Sequence, residues 1–316
     1  MLDVAIIGGG PAALSAAIYC GRAGLKTEVF EKNSFGGELS RISNISNYPG
    51  FTGRGSTLAQ HFRKQAEEAG VKISYGECQE ITPPVYDEKH SSAQLASLDS
   101  TFTIQIDGEP VSARTVLIAT GSQPRSLGFE ITPPVSYCAL CDSDFARDKH
   151  VAVIGGANSA VQEALYLAPI VKDLDLITHS TLKADQVLRS KLSNHPNITV
   201  RENIEPVREL LDQYDYVFVF IGSHPATSFL RSLDPSICDQ KGYLLTGEQA
   251  RPLDPNRNKS FVFRISFEDY NPTPHATSLP GLFAAGDVRA GCPKQVVCAA
   301  GDGAAAAIEI IHLLQN

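Results

Sequence analysis

The sequence predicts an α/β fold made of two parallel-sheet units, one inserted into the other. Three observations carry this reading. A seventeen-residue stretch recurs at a constant offset: VAIIGGGPAALSAAIYC from Val4 lies over VAVIGGANSAVQEALYL from Val151, with eight identical pairs, Gly8/Gly155 and Tyr19/Tyr166 among them. Each copy reads as a buried strand, a glycine turn and a helix rich in Ala and Leu, the opening of a Rossmann-like βαβ unit. The length of 316 residues is about twice that of a typical single domain.

The remaining elements follow in order. Lys26 to Glu31 forms a second strand ending in an acid. Turn-rich chain (Gly36-Gly37, Asn47-Tyr48-Pro49-Gly50) leads to a helix from Thr57 to Ala69, closed by Gly70. Residues 82–100 are polar and weakly periodic, a surface excursion. Val116 to Ala119 is a buried strand stopping at Thr120-Gly121, and the second unit ends on the strand Tyr216 to Gly222. Residues 250–274, rich in Pro and Asn, form a second excursion. The strand Leu282 to Ala285 then meets Gly286-Asp287, and a small-residue helix from Val296 to Leu314 closes the chain. The expected division is an outer domain of residues 1–121 and 245–316 around an inner domain of residues 122–244.

Composition narrows the function classes. At 43% apolar and 20% charged residues, the chain is an ordinary globular protein, neither disordered nor collagen-like. A net charge of −8 argues against a nucleic-acid partner. Uninterrupted apolar runs fall short of the ~18 residues a membrane span needs, so no membrane association is expected. The strand at Val4 starts the fold without a basic leader. Seven cysteines do not make a secreted disulfide framework, which points to a reducing cytoplasmic setting.

The first glycine turn has the context its motif needs, after a strand and before a helix. Gly8 permits the tight turn. Gly10 removes a Cβ where a pyrophosphate must approach, and Pro11, Ala12 and Ala13 open a helix whose N-terminus favours anions. Glu31, followed by Lys32, lies where an acid accepts hydrogen bonds from a ribose. This half binds a dinucleotide. In the second copy Ala157 replaces the equivalent of Gly10, and Thr178-His179-Ser180 supplies neither the acid favoured by NAD(H) nor the arginines favoured by NADP(H).

Cys138-Ala139-Leu140-Cys141 precedes the second turn. No second cysteine pair or His cluster completes a zinc site, so no metal is expected. Two buried apolar cysteines are the bland alternative, and a redox dithiol is the favoured one. Asp142 offers a carboxyl group that could shuttle a proton to or from a thiolate. The other five cysteines read as buried thiols, with Cys292 and Cys298 flanking the turn that holds Lys294-Gln295-Val296.

Together these residues resemble the low-molecular-weight thioredoxin reductases over nearly the whole chain. The resemblance is carried by Gly8-Gly9-Gly10-Pro11-Ala12, Gly36-Gly37-Glu38-Leu39, Asn47-Tyr48-Pro49-Gly50, Ala119-Thr120-Gly121, Cys138-Ala139-Leu140-Cys141-Asp142, Ala285-Gly286-Asp287-Val288 and Lys294-Gln295-Val296. It implies an FAD domain split by an inserted NAD(P)H-type domain that carries the dithiol. By that resemblance Asp287 would bind the ribityl or pyrophosphate region, Lys294, Gln295 and Val296 would line the isoalloxazine, and Asn47 would lie near the ring. Cys141 would exchange electrons with the flavin, Cys138 would attack the disulfide of thioredoxin or a similar protein, and Asp142 would be the acid/base. A homodimer is implied as well.

The family's usual NADPH elements are damaged here, at Gly155-Gly156-Ala157-Asn158-Ser159-Ala160 and at Thr178 to Lys183. That pattern is similar to the NADPH-independent branches, the ferredoxin-dependent flavin thioredoxin reductases and the deeply rooted thioredoxin reductases. The expected activity is an FAD-dependent disulfide reductase fed by reduced ferredoxin or a flavodoxin-like protein. An acidic donor would need a local basic face on this acidic chain. The alternatives are an oxygen-dependent dithiol oxidase acting on a small molecule and a reductase using NADPH through an atypical site.

Overall fold

A computed structural model describes residues 1–42, 45–84, 101–250 and 273–315. The polar excursions expected at 82–100 and 250–274 lie, apart from their outermost residues, outside the described residues. The chain divides into two compact units: residues 1–122 with 225–316, and residues 123–224.

The first unit is built on a seven-stranded sheet. Its parallel part runs Lys72–Tyr75, Thr27–Glu31, Leu2–Ile7, Glu109–Ile118, with Leu282–Ala284 on the far side of the last. Register is set by the apolar runs: Val4, Ala5, Ile6 and Ile7 lie opposite Thr27 to Phe30 on one side and Thr115 to Ile118 on the other. Such a strand is buried on both faces, which is why it reads as a continuous apolar run. On one face Val4, Ile6 and Leu117 pack against Ala13, Ala16, Ala17, Ala306, Ala307 and Ile310. These alanines belong to the helices Pro11–Arg22 and Val296–Gln315 and let the two lie close. On the other face Ile7, Val116 and Ile118 pack against Phe102, Ile104, Leu230 and Leu233. Each fully buried side chain of this kind contributes about 1.5–3 kcal/mol. Among the described residues Val296–Gln315 is the one helix long and apolar enough to cross a membrane, but its alanine face forms this core.

Two antiparallel strands, Cys78–Thr82 and Phe102–Ile106, extend the sheet and were not expected from the sequence. Their signal was present: Phe102, Ile104 and Ile106 alternate inward, with a period of two. The expected helix at 57–69 is found as Gly55–Glu68 and the closing helix as Val296–Gln315.

The second unit carries a five-stranded, all-parallel sheet in the order Val135–Ser136, Tyr216–Val219, His150–Ile154, Asp173–Thr178, Ile198–Glu202. Val151, Val153, Leu174, Leu176 and Phe218 bury one face with Ala160, Val161, Ala164 and Leu167 of the helix Asn158–Leu167. The return to the first unit comes at Pro225, twenty residues before the expected boundary at 245. The cause is apolar: Leu230, Leu233, Ile237 and Leu244 are buried in the core of the first unit. The strand expected to end at Gly222 ends at Val219.

Candidate active site

In parallel sheets ligand-facing turns lie at the carboxyl ends of the strands, and the first glycine turn follows Leu2–Ile7 there. Gly8 has φ +107°, and a Cβ on it would overlap the Ala119 carbonyl oxygen. No other residue fits that position. Gly10 differs in kind. It is the extended N-cap of Pro11–Arg22, and a Cβ built on it would meet nothing within 4 Å. Pro11 takes the first helical position, where its missing N–H is not needed. Ala12 and Ala13 are buried, so they can offer a ligand only the amides of the first turn.

The Gly36-Gly37 turn and Glu31 are held beside this glycine turn, and the same unit joins further expected residues. Gly36 donates its amide to Gly9 O at 2.7 Å, which brings the Gly36-Gly37 turn beside Gly10. Glu31 accepts from the Gly9 amide (2.7 Å) and the Asn33 amide (2.8 Å), so its carboxylate is fixed at the turn. Asp287 lies in the turn Gly286–Val288, with Oδ1 buried and without a hydrogen-bond partner. Burial pushes its carboxyl up to about 6, with Asp302 adding to the rise and Lys294 opposing it. An orphaned buried acceptor beside chain that a ligand must complete fits a ribityl or pyrophosphate group. Asn47 Nδ2 donates to Gln295 Oε1 at 3.1 Å, joining two residues expected at the isoalloxazine.

Other expected cofactor residues have different surroundings. Lys32 is exposed and its Nζ is 3.5 Å from Glu77, directed along the surface. Glu38 is likewise exposed and paired with Arg41 at 3.1 Å. Leu39 packs with Leu14, Ile45, Leu58 and Phe62, supporting the loop from inside, and Val296 packs against the same cluster. Thr120 donates its hydroxyl to Ala226 O at 2.8 Å. Gly121 accepts the Ala226 amide at 3.1 Å, so this segment ties the chain's return to the sheet. Lys294 is exposed, with Nζ 3.1 Å from the Tyr243 hydroxyl and over its ring.

The support beneath Asp287 was not legible in the sequence. Asp302, on the closing helix, accepts the Gly286 amide (2.7 Å), both Nε (3.0 Å) and Nη2 (2.6 Å) of Arg289, and His275 Nε2 (2.9 Å). His275 Nδ1 is 2.7 Å from Glu309. Burial would hold His275 down, yet hydrogen bonds to Asp302 and Glu309 outweigh it and push the imidazole up to about 9. Burial likewise works against ionised Asp302, and bonds from His275, Arg289 and the Gly286 amide bring it down to about 2. The one signal was an acid inside an otherwise small-residue helix, whose partners the chain order does not reveal.

In the second unit Gly155 repeats the strained turn, with φ +144°. Ala157 occupies the N-cap position of Asn158–Leu167 with φ −99° and ψ 179°, against −79° and −175° at Gly10. Its methyl group therefore stands where Gly10 leaves open space. Thr178 is buried against Gly156, and the Lys183 amide donates to Gly156 O at 2.7 Å. Asn158 and Asp185 exchange hydrogen bonds at 2.7 and 2.8 Å. His179 and the Lys183 side chain are exposed.

Cys138 and Cys141 form a disulfide at the start of the short helix Ala139–Asp142, with Cys138 as its N-cap. The Cys141 amide is 3.2 Å from Cys138 Sγ. Asp142 Oδ2 accepts from the Ser136 hydroxyl at 2.6 Å. The other five cysteines are free. Burial pushes the Cys20 and Cys78 thiols up to about 12, Cys238 to about 11 and Cys292 to about 12. Among the described residues no cluster of metal-ligating side chains is found.

A strand–glycine-turn–helix cradle in one unit and a disulfide in a short helix of the other define a class. Residues 2–256 match the family model of the pyridine nucleotide-disulphide oxidoreductases, and the chain belongs to that family. It is similar to the thioredoxin reductase of Treponema pallidum, 33% identical over 99% of this chain and 98% of that protein. The Helicobacter pylori thioredoxin reductase is 32% identical, with both chains fully covered. The crystal structure of the Streptococcus pyogenes thioredoxin reductase superposes with a TM-score of 0.77 at 28% identity, covering 100% of this chain and 98% of that one. Within the family the chain is a low-molecular-weight, thioredoxin reductase-like flavoprotein oxidoreductase.

Proposed function

We propose that the chain is an FAD-dependent disulfide reductase that draws electrons from a donor other than NADPH and passes them to thioredoxin or a thioredoxin-like protein. The observation that carries the donor assignment is Ala157. Its methyl group takes the place that the equivalent Gly10 leaves empty for a pyrophosphate. Buried Thr178, exposed His179 and half-buried Ser180 add no arginine for a 2′-phosphate. The donor is then a reduced ferredoxin or a flavodoxin-like protein, and the enzyme works as a homodimer in the cytoplasm.

In this reading the amides of the first helical turn and Gly10 receive the pyrophosphate, Glu31 the ribose, and Asp287 the ribityl chain or pyrophosphate. With its carboxyl held near 6, Asp287 can donate or accept a hydrogen bond there. Asn47 and Gln295, already joined, present a polar edge to the ring. When bound, FAD supplies the two-electron exchange with the disulfide. Cys141 is the sulfur facing that exchange and Cys138 attacks the protein substrate. Asp142 moves the proton on Cys141.

Stopped-flow mixing of the oxidised holoenzyme with NADPH or NADH is expected to leave the flavin absorbance unchanged over seconds. Reduced ferredoxin or flavodoxin is expected to bleach it. Rapid bleaching at micromolar NADPH would overturn the donor assignment.

A further inference from the structure

We infer that Ser136 is the positioning residue for Asp142, holding the carboxyl ready in both of its protonation states. The inference rests on the disulfide-reductase reading, and it concerns a residue that reading does not use.

Ser136 ends the edge strand Val135–Ser136 of the second sheet and is 3% exposed. The partners of its hydroxyl all lie within the dithiol segment. Its Oγ is 2.6 Å from Asp142 Oδ2 and 3.3 Å from the Cys138 carbonyl oxygen, and it accepts the Cys138 amide at 3.1 Å. A hydroxyl has one proton and two lone pairs. It can therefore donate to one of these oxygens at a time, and the shorter contact places the proton toward Asp142. When Oδ2 gains a proton and becomes a donor, the Ser136 hydroxyl can turn to the Cys138 carbonyl and accept from Asp142. Neither state leaves a buried polar group unpaired. An acid/base must be accommodated both charged and neutral, and this hydroxyl provides for both.

The step it serves is the release of the reduced acceptor. The Cys138 thiolate attacks one sulfur of the acceptor disulfide. That S–S bond breaks, a Cys138–acceptor bond forms, and the other acceptor sulfur leaves as a thiolate. Cys141 then gives its proton to Asp142 Oδ2 and attacks Cys138 Sγ. The Cys138–Cys141 bond forms, the bond to the acceptor breaks, and the departing sulfur takes the proton from Asp142. The dithiol loses two electrons and the acceptor disulfide gains them. The Ser136 hydroxyl bonds Asp142 and the Cys138 main chain but neither sulfur, so its loss weighs mainly on the second attack, the one Asp142 serves.

The test uses the holoenzyme with Cys238, Cys292 and Cys298 replaced by serine, its disulfide reduced anaerobically with dithiothreitol and desalted. Stopped-flow mixing with dithiobis(nitrobenzoate) releases one nitrothiobenzoate on attack by Cys138 and a second on attack by Cys141. Ser136→Ala is expected to slow the second release about tenfold and to leave the first within about twofold. Ser136→Thr, which keeps the hydroxyl, is expected to restore it. Asp142→Asn slows the second release, and the Ser136→Ala/Asp142→Asn double variant should be no slower than Asp142→Asn alone. Ser136→Gly repeats the comparison if Ser136→Ala lowers the melting temperature. An effect of Ser136→Ala that persists in the Asp142→Asn background, or that slows both releases equally, overturns the inference. So does a Ser136→Ala protein as fast as the parent. A parent whose dithiol releases no nitrothiobenzoate sinks the disulfide-reductase reading itself, a separate outcome.

Discussion

His275 Nε2 lies 2.9 Å from the Asp302 carboxylate, and the same carboxylate receives the Gly286 amide at 2.7 Å. The turn that presents Asp287 is thereby tied to the closing helix through charged groups.

This array makes stability depend on pH in a stated direction. The imidazole of His275 is raised from 6.5 to about 9, so its contribution is complete below 6.5 and is lost as pH climbs through 9. Asp302 is lowered from 3.8 to about 2, so its contribution is complete above 3.8 and is lost as pH falls through 2. Stability from the pair is therefore greatest between 3.8 and 6.5. His275→Gln is expected to cost on the order of 2 kcal/mol at pH 6 and much less at pH 9.5, read from urea unfolding at each pH. An equal loss at both values would show that the charge of His275 contributes nothing.

Asp302→Ala should loosen the Gly286–Val288 turn and with it the grip on the flavin. We expect FAD to dissociate about tenfold more readily, measured by equilibrium dialysis of the holoenzyme. Glu309→Gln, which touches His275 and not the turn, should change it less than twofold.

Gly8→Ala combines a φ of +107° with an overlap on the Ala119 carbonyl. The first strand or Ala119 must shift, at a cost of about 2–4 kcal/mol. Thermal melts of the holoenzyme check this. Gly10→Ala meets no protein atom. It should leave the apoprotein's melting temperature within about 2 °C while weakening FAD binding, so the two substitutions separate fold from ligand.

Restoring the second turn should restore part of its chemistry. Ala157→Gly alone clears the methyl group without supplying a counter-charge. The triple variant Ala157→Gly/His179→Arg/Ser180→Arg is expected to bind NADPH at least about tenfold more tightly than the parent, by fluorescence titration. No gain would mean that Thr178 and the Asn158–Asp185 contact also set the shape of the turn.

Thiol reactivity should sort the cysteines. Burial holds Cys20, Cys78 and Cys292 near 12 and Cys238 near 11, so at pH 8 almost none of each is thiolate. After reduction, iodoacetamide should label Cys138 first, and peptide mass spectrometry should find Cys20 and Cys78 unlabelled over the same interval.

Local order in the chain accounts for what could be read directly. The two strand–glycine-turn–helix units, the dithiol and Asp142 depend on spacings of a few residues, which backbone geometry converts into structure without help from elsewhere. Ala157 could be compared with Gly10 because a repeat carries its own reference. The strands Cys78–Thr82 and Phe102–Ile106 were legible in their alternation, but the polar stretch between them concealed that they pair.

The remainder was decided by packing. Leu230, Leu233, Ile237 and Leu244 sit next to the second unit in the chain, and an apolar core draws them back into the first. Lys32 and Glu38 adjoin cradle residues, yet their long charged side chains reach Glu77 and Arg41 at the surface, where water solvates them. Asn47 meets Gln295, and Asp302 meets Gly286, only because helices and loops close over the sheet. Even Ser136, six residues from Asp142, finds its partner through the corner between a strand end and a short helix. By itself the sequence determined the kinds of unit and the paired sulfurs, since these are properties of short spacings. Tertiary structure decided which side chains hold Asp142 and the Gly286–Val288 turn in place, since hydrogen bonds form only where packing brings donor and acceptor together.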